Sequence, residues 1–592
     1  MKKLNLSLNK LSTNINNTSK RFPLALIFIV SITLLLMYLI EFNFDNSNRE
    51  IVERIIGVLT FGIPFSLCIN LILEKYFITL SVKIKLIIHL IELLILYIYF
   101  MFFLITYNNV STTRLLLISF GTILCFLFIP YLDKKKNIEL YVTKIITNFT
   151  TSILYSVVIG IGLSLVLLAI KLLLYTNMSS NYFNHIWVLS LVLFNGIYFI
   201  SKIPIKDTYY DISNFNKVFK IILIYIVMPI ICIYSIVLYI YFAKIIITQV
   251  WPEGLVSYLV VSYSAVFIVS IFLTSLFIPH NRFVKTFNKI FTKIIFPLLI
   301  MMFIAIIIRI NEFGITENRY FILIIGIWST FIMIFINVNK HKNNIIILIS
   351  LAVVSFLTVC GPLSAFNVSK SSQSNRLYKI LENNTLIEEN SIVKQSENII
   401  SDKDKKEVFG ILNYFDSYHE LSNLKYLPEN FELKDMKTIF GFEYEYLNIS
   451  PKEYFSFSIA ENSLLEIKDY DVYIKNINFT FYQTSKTNIL KYPSTIGDIE
   501  ITTSSKKQIA LLINQTQRYN FNPQKEVPSL ISKYGAERFY EKTPLEDMSI
   551  TIEDNNMKII YIINTVSGNS STPDNLINLE QINLDILIKK LK

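Results

Sequence analysis

Over the first 366 residues the apolar positions fall in long blocks separated by short polar stretches. After that the blocks stop. A bilayer core of about 30 Å needs about 20 mainly apolar helical residues, because backbone groups in lipid must be satisfied within the segment. Eleven blocks meet that requirement, at approximately 22–40, 55–73, 86–106, 115–132, 153–175, 186–204, 221–243, 255–278, 294–309, 320–338 and 345–363. The expected architecture is therefore a polytopic α-helical membrane bundle of about eleven transmembrane helices. Lys2, Lys3, Lys10, Lys20 and Arg21 precede the first block as in a secretion signal, but bulky and polar residues from Glu41 to Asp45 follow it, which predicts an uncleaved anchor.

Beyond Phe366 the periodicity changes twice. Val408, Ile411, Leu412 and Phe415 recur at three- and four-residue steps behind Ser401 and Asp404, which predicts a capped helix. Past Phe440 the period becomes two: Ile477, Phe479 and Phe481 alternate with Asn476, Asn478 and Thr480. Ile550 and Ile552, a turn at Asp554-Asn555-Asn556 and the run from Lys558 to Asn564 predict a hairpin, and a helix is expected near 527–534. The reading is a cytoplasmic segment at 1–21, a transmembrane domain at 22–366, a helical region at 367–438 and a β-rich region at 439–592. The last two together form an α+β domain with mostly antiparallel strands.

Charge orients this plan. Lysine and arginine are retained on the cytoplasmic side of short loops. With the N-terminus inside, the cytoplasmic loops, including Lys202, hold 22 basic residues, and the opposite loops hold six: Arg49, Arg54, Arg114, Lys244, Arg309 and Arg319. Eleven crossings then place the C-terminus outside, in a bacterial cytoplasmic membrane. The net charge of +11, which in a soluble chain would suggest nucleic acid, divides into +16 over residues 1–366 and −5 over residues 367–592. The basic excess is thus a topology signal, and no nucleic-acid partner is expected. A composition of 53% hydrophobic and 17% charged residues, with a mean hydropathy of +0.49, excludes an ordinary water-soluble enzyme. The four cysteines lie in predicted spans, so the C-terminal half folds without disulfides.

Ionisable residues inside spans are functional candidates. Glu92 has His89 three residues before it and Lys85 seven before it, all on one helical face, and lies about 6 Å of helix rise from the centre of its span. Glu92 and His89 are read as a candidate intramembrane relay, against the plainer reading of a polar stripe between helices. Lys171 is expected to snorkel to the outer surface. Ser156, Gly160 and Ser164 form a small-residue stripe that lets another helix approach. Pro229 is expected to interrupt the seventh span. Enzyme signatures are missing: His419-Glu420 starts like a zinc-protease pair, but position 423 is Asn, and there is no P-loop, Gly-x-Ser-x-Gly or cysteine cluster. No cofactor, metal site or catalytic residue is expected.

Several outer segments carry a family resemblance: Trp251-Pro252-Glu253-Gly254-Leu255-Val256-Ser257, Gly314-Ile315-Thr316-Glu317-Asn318-Arg319-Tyr320, and Gly361-Pro362-Leu363-Ser364-Ala365-Phe366 with Ser372-Gln373 and Arg376-Leu377. With Pro544-Leu545-Glu546-Asp547 and Asp585-Ile586-Leu587-Ile588, the chain resembles the bacterial domain-of-unknown-function family 4153. The resemblance implies a multi-pass membrane protein and adds no catalytic residue. In physical terms, Thr316 is placed to cap the tenth span and Glu317 to favour its dipole. Arg319 opposes that dipole, so an acidic partner is expected, such as Glu312, Glu253 or a group of the outer region. Arg319 and Arg376 are then candidate ionic contacts that dock the C-terminal region.

Three functions fit this pattern. One is display of the extracytoplasmic α+β domain for binding, sensing or envelope organisation, with the lipid bilayer and an envelope protein or glycan as partners. A second is a transporter or channel using the bundle. A third is a membrane enzyme acting on a lipid-linked substrate at the outer face, with Glu253, Glu312, Glu317 and Arg319 as its groups.

Overall fold

In a computed structural model the described residues run from 17 to 591. Residues 43–45, 78, 107, 134–137, 176–177, 205–214, 250–254, 340–342, 389–390, 393–399, 429–430, 443–452, 460–464, 466, 482–488, 504–507, 515, 535–542 and 572–575 lie outside the description. The chain divides into two compact units, Met1–Asp435 and Met436–Lys592.

Among the described residues the first unit holds ten helices long and apolar enough, by length and composition, to cross a membrane. They are α1 (Pro23–Glu41), α2 (Asn46–Tyr76), α3 (Val82–Phe102), α4 (Asn109–Phe128), α5 (Ile138–Leu173), α6 (Asn181–Ser201), α7 (Lys217–Thr248), α8 (Leu255–Thr274), α9 (Arg282–Phe313) and α10 (Glu317–Val338). The eleventh apolar helix, α11 (Ile345–Leu357), is shorter. The chain is thus a multi-pass membrane protein. Helices outrun the apolar blocks where polar turns extend them: α9 begins at Arg282, twelve residues before the block that marks it. Conversely, α11 ends at Leu357, and the turns that follow it contain Gly361 at positive φ and Pro362, which keep the chain from resuming a helix before Ala365. Pro229 does not break α7. A π-helical stretch at Ile222–Val227 lies just before it, and the helix runs on past the proline to Thr248.

Polar contacts sort the helix ends into two groups. At one end Arg21 pairs with Glu74 and donates to the carbonyls of Ile203 and Pro204 at 2.9 Å, and Lys75 pairs with Asp133 at 2.9 Å. Asn344, before α11, donates to Glu139 of α5 and to Ser275 after α8. At the other end Asn181 of α6 donates to the Ile40 carbonyl, and the Tyr320 hydroxyl of α10 reaches the Leu363 carbonyl at 2.5 Å. The chain between Val338 and Leu363 therefore returns to the level where α10 began. Although short, α11 with the turns after it runs from the contacts of Asn344 at one end to the contact of Leu363 at the other.

Two further helices, α12 (Ala365–Asn383) and α13 (Asp402–Tyr418), follow, with a small hairpin of β1 (Ile387–Glu388) and β2 (Ser391–Ile392) between them. Ser401 caps α13 by accepting from the Asp404 amide at 3.1 Å, and Val408, Ile411, Leu412 and Phe415 form its buried face, as the sequence predicts.

The second unit is built from antiparallel sheets. One has the order β3 (Glu453–Ser458), β10 (Met557–Ser571), β11 (Leu576–Lys590), β4 (Val472–Thr480), with β9 (Ser549–Glu553) also paired to β10. The other is a meander of β5 (Ile489–Tyr492), β6 (Ile499–Thr503), β7 (Ile509–Ile513) and β8 (Gln517–Phe521), followed by α14 (Pro523–Tyr534). Both sheets contribute to one buried cluster, where Phe521 stacks on Tyr561 at 4.7 Å. The β9–β10 turn is the expected one: Asp554 accepts from the amides of Asn556 and Met557 at 2.8 and 2.7 Å.

Candidate functional site

Two places in the first unit bring chemistry together. The first lies within the spans. α3 packs on α2 through a stripe of Glu92, Leu96 and Tyr99, at helical spacing, while most of its other side chains face outward. Glu92 is fully buried beside Ser66, and its Oε2 meets His89 Nδ1 at 2.9 Å. The two residues expected to act together are therefore paired. Their setting is the contact between two helices, with Glu92 walled in by α2, which is the geometry of a polar helix–helix contact. The small-residue stripe on α5 plays a similar part: a side-chain carbon at Gly160 would come within 2.9 Å of Ser190 and Trp187, so α6 sits directly on it. Lys171 is partly exposed near the end of α5.

The second place is where α9 ends, α10 begins and α12 passes. α9 terminates at Gly314, whose φ of 70° and ψ of −179° are open essentially only to glycine. Gln373 of α12 donates from Nε2 to the carbonyls of Phe313 and Ile315, both at 3.0 Å. Ser372 accepts from the Ile315 amide at 2.9 Å. Two adjacent side chains thus satisfy backbone groups that the helix break leaves open. Three of the segments that carry the family resemblance, around 314–320, 361–366 and 372–377, meet here.

Beside this clamp lies a buried polar cluster. Tyr414 donates toward both Glu317 oxygens at 2.8 Å, and His419 Nε2 lies 2.8 Å from Glu317 Oε1 and 3.0 Å from the Tyr414 oxygen. Burial, and then the Glu317 carboxylate, push the Tyr414 phenol up from its ordinary range. Glu317 sits in the first turn of α10, where the helix dipole favours its charge as expected. Thr316 is the residue before the helix, but its side chain makes no capping bond, which corrects that expectation. Asn109 of α4 also donates to the Ser417 carbonyl at 3.4 Å.

The arginines behave differently from the expectation. Among the described residues Arg319 forms no ion pair. Its Nη1 donates to the carbonyls of Gly314 and Phe313 at 2.7 and 3.1 Å. A cation that opposes the dipole of α10 is well placed for the negative C-terminal end of α9, which explains why no acid is needed. Glu312 is exposed and near Arg319 without pairing with it. Arg376 pairs with Glu407 of α13 at 2.8 Å and so ties α12 to α13, not to a loop of the bundle. Glu253, like the rest of 251–254, lies outside the described residues.

Sequence reasoning did not assign roles to Tyr414, His419 or Gln373. In the sequence His419 stands out only as half of an incomplete zinc-protease pair, and its carboxylate partner lies 102 positions away. The signal that existed was the set of motif segments, whose spacing gives no hint that they touch. Among the described residues no group of His, Cys, Asp and Glu is arranged to hold a metal ion.

Comparison with known proteins adds the family. Residues 28–390 match the family described as a domain of unknown function (DUF4153), which covers the bundle and α12 and leaves the second unit outside. An uncharacterized protein of Pasteurella multocida (strain Pm70), PM1469, is 23% identical over 373 residues, which are 62% of this chain and 61% of that protein. The chain thus spans less than two thirds of this relative's length. No solved structure matches. This chain, with its many apolar helices, belongs to the DUF4153 family.

Proposed function

We propose that the protein is a cytoplasmic-membrane anchor that holds a helical cap on the outer end of its bundle and displays the C-terminal β unit outside for binding, sensing or envelope organisation. The observation that carries this reading is the clamp at Gly314 with the buried Glu317–Tyr414–His419 cluster. Bundle residues are spent there on fixing a segment that is not itself apolar enough to cross the membrane. Orientation rests on charge. The loops at the end where Arg21, Lys75 and Asn344 make their contacts carry most of the basic residues, and positive loops are retained in the cytoplasm. An envelope protein or glycan is the class of ligand such a display unit would meet.

Transport finds less support, because Glu92 sits in a two-helix contact with α2 and His89 beside it. Fusion of reporters after Lys592 tests the proposal. An enzyme reporter that works only outside the cytoplasm should be active there, and a fluorescent reporter that folds only inside should stay dark. The opposite pattern would remove the display function altogether. In the same cells, Glu317→Ala with His419→Ala should leave the protein in the membrane while loosening the cap.

A further inference from the structure

Three guanidinium groups converge on one aromatic ring at the cap end. Their central carbons lie 5.3 Å (Arg309), 5.5 Å (Arg319) and 5.8 Å (Arg376) from the centroid of Phe313. They come from three helices: the last turns of α9, the first turn of α10 and the middle of α12. Arg376 has a carboxylate partner in Glu407, and Arg319 spends one nitrogen on two carbonyls. Among the described residues Arg309 has no ion pair or hydrogen bond, and its only polar-type contact is the ring. Phe313 remains 38% exposed, Arg309 and Arg319 are half-buried beside it, and Arg376 keeps 18% of its side chain exposed, so the ring has an open side on which these cations border.

Like charges brought this close repel, and a ring quadrupole attracts each cation only weakly. An anion accepting from more than one of these groups would relieve the repulsion. Planar guanidinium forks match phosphate oxygens in pairs, more closely than a lysine point charge does. Arg309 stands one turn before the end of a transmembrane helix, which is the level of lipid headgroups. We propose that Arg309, Arg319 and Arg376 around Phe313 form a binding site for a phosphate group carried by a membrane lipid or lipid-linked molecule. The site is independent of which face of the membrane the cap occupies. Phe313 supplies an apolar floor against which the glycerol or acyl start of such a ligand can pack, and the forks hold the phosphate.

The test uses the full-length protein in a neutral detergent, with native mass spectrometry counting bound phosphatidylglycerol during a titration. Basic loops at the opposite end will also attract anionic lipid, so Arg282→Gln serves as the control there. Wild type and Arg282→Gln should retain one lipid more tightly than Arg309→Gln by about tenfold, the loss of roughly one charge-assisted contact. Arg309→Lys should recover only part of that, because it keeps the charge without the fork. Displacement of the tight lipid by millimolar inorganic phosphate would show that free phosphate shares the site; its failure to displace would assign the site to lipid alone. Equal retention by wild type and both Arg309 variants overturns the proposal. So does equally tight retention of a fatty acid of the same charge, since the site would then be cationic without recognising phosphate. Phe313→Leu removes the floor while leaving all three cations, and should weaken lipid retention without altering displacement by phosphate.

Discussion

Replacing Gly314 by alanine tests the clamp most directly. The backbone there has φ 70° and ψ −179°, a region essentially closed to residues with a side-chain carbon, and forcing one into it costs about 1–3 kcal/mol. The new carbon would also lie 2.9 Å from Gln373 Nε2, inside contact distance, so Gln373 must withdraw. One of its two bonds to the Phe313 and Ile315 carbonyls is then lost, worth about 0.5–1.5 kcal/mol. The sum, about 1.5–4.5 kcal/mol, falls on the docking of α12 and raises the undocked population roughly 10- to 1,600-fold. Hydrogen exchange of the full chain in lipid nanodiscs reads this as faster exchange in α12 and α13, with the interior of α5 unchanged. Gly361 is the control, since its φ is also positive, at 78°, but nothing stands within 4 Å of an added carbon. Gly361→Ala should carry the strain without touching the clamp. In a Gln373→Ala background the Gly314 substitution should cost less, because the clash has been removed. Unchanged exchange in α12 for Gly314→Ala would refute the clamp, and equal effects with and without Gln373 would refute the role given to that side chain.

Two further outcomes follow from named groups. Glu317→Gln keeps the shape but removes the charge that accepts from Tyr414 and His419, and should lower the stability of the cap by about 1–2 kcal/mol, read as faster exchange in α13. No change would mean the cluster is incidental to docking. In the second unit, backbone donors at Asn556 and Met557 hold the Asp554 carboxyl below its usual range. Its contribution to stability is therefore fully present above the unfolded carboxylate value of about 4 and is lost as pH falls through the lower folded value. The stability gap between wild type and Asp554→Ala, read as melting temperature, should be constant near neutrality and shrink on acidification; a gap that widens in acid would contradict the sign.

Apolar length and period sufficed to read the spans, because a helix in lipid must satisfy its own backbone and so must be long and apolar. They failed at the edges for the same reason. Arg282 to Lys293 extend α9 as a helix outside the apolar block, where hydropathy is blind. The π-helical stretches at Leu189–Phe194 and Ile222–Val227 leave no periodic trace over so few residues. In the second unit, alternation exposed β4 and the β9–β10 hairpin, since one buried face imposes a period of two. The partner of each strand is a long-range choice that no local pattern carries: β3 joins β10 across a hundred residues. The same limit explains the candidate site. Arg319 drew attention as a cation at a helix start, but its answer lies in the turn before it, whose geometry depends on Gly314. His419 met Glu317 only because α13 folds back over α10.

Parity of the crossings decides where everything after residue 363 lies, and α11 is the one helix too short to settle it by length. At about 1.5 Å per residue its thirteen residues rise about 20 Å, less than a bilayer core. The contact between the Tyr320 hydroxyl and the Leu363 carbonyl argues that the turns from Thr358 onward complete the passage. Single cysteines separate the alternatives. In a background with the exposed Cys360 replaced by serine, cysteines at the exposed positions 318 and 363 should react with a membrane-impermeant maleimide from the same side, and one at 282 from the opposite side. Should position 363 label together with 282, the bundle has ten crossings, the cap cannot rest against the start of α10 as described, and the C-terminal unit would face the cytoplasm. Agreement of 318 with 363 would instead make the short helix a full crossing, with Thr358 and Val359 buried after its last turn and Cys360 to Leu363 exposed at its end.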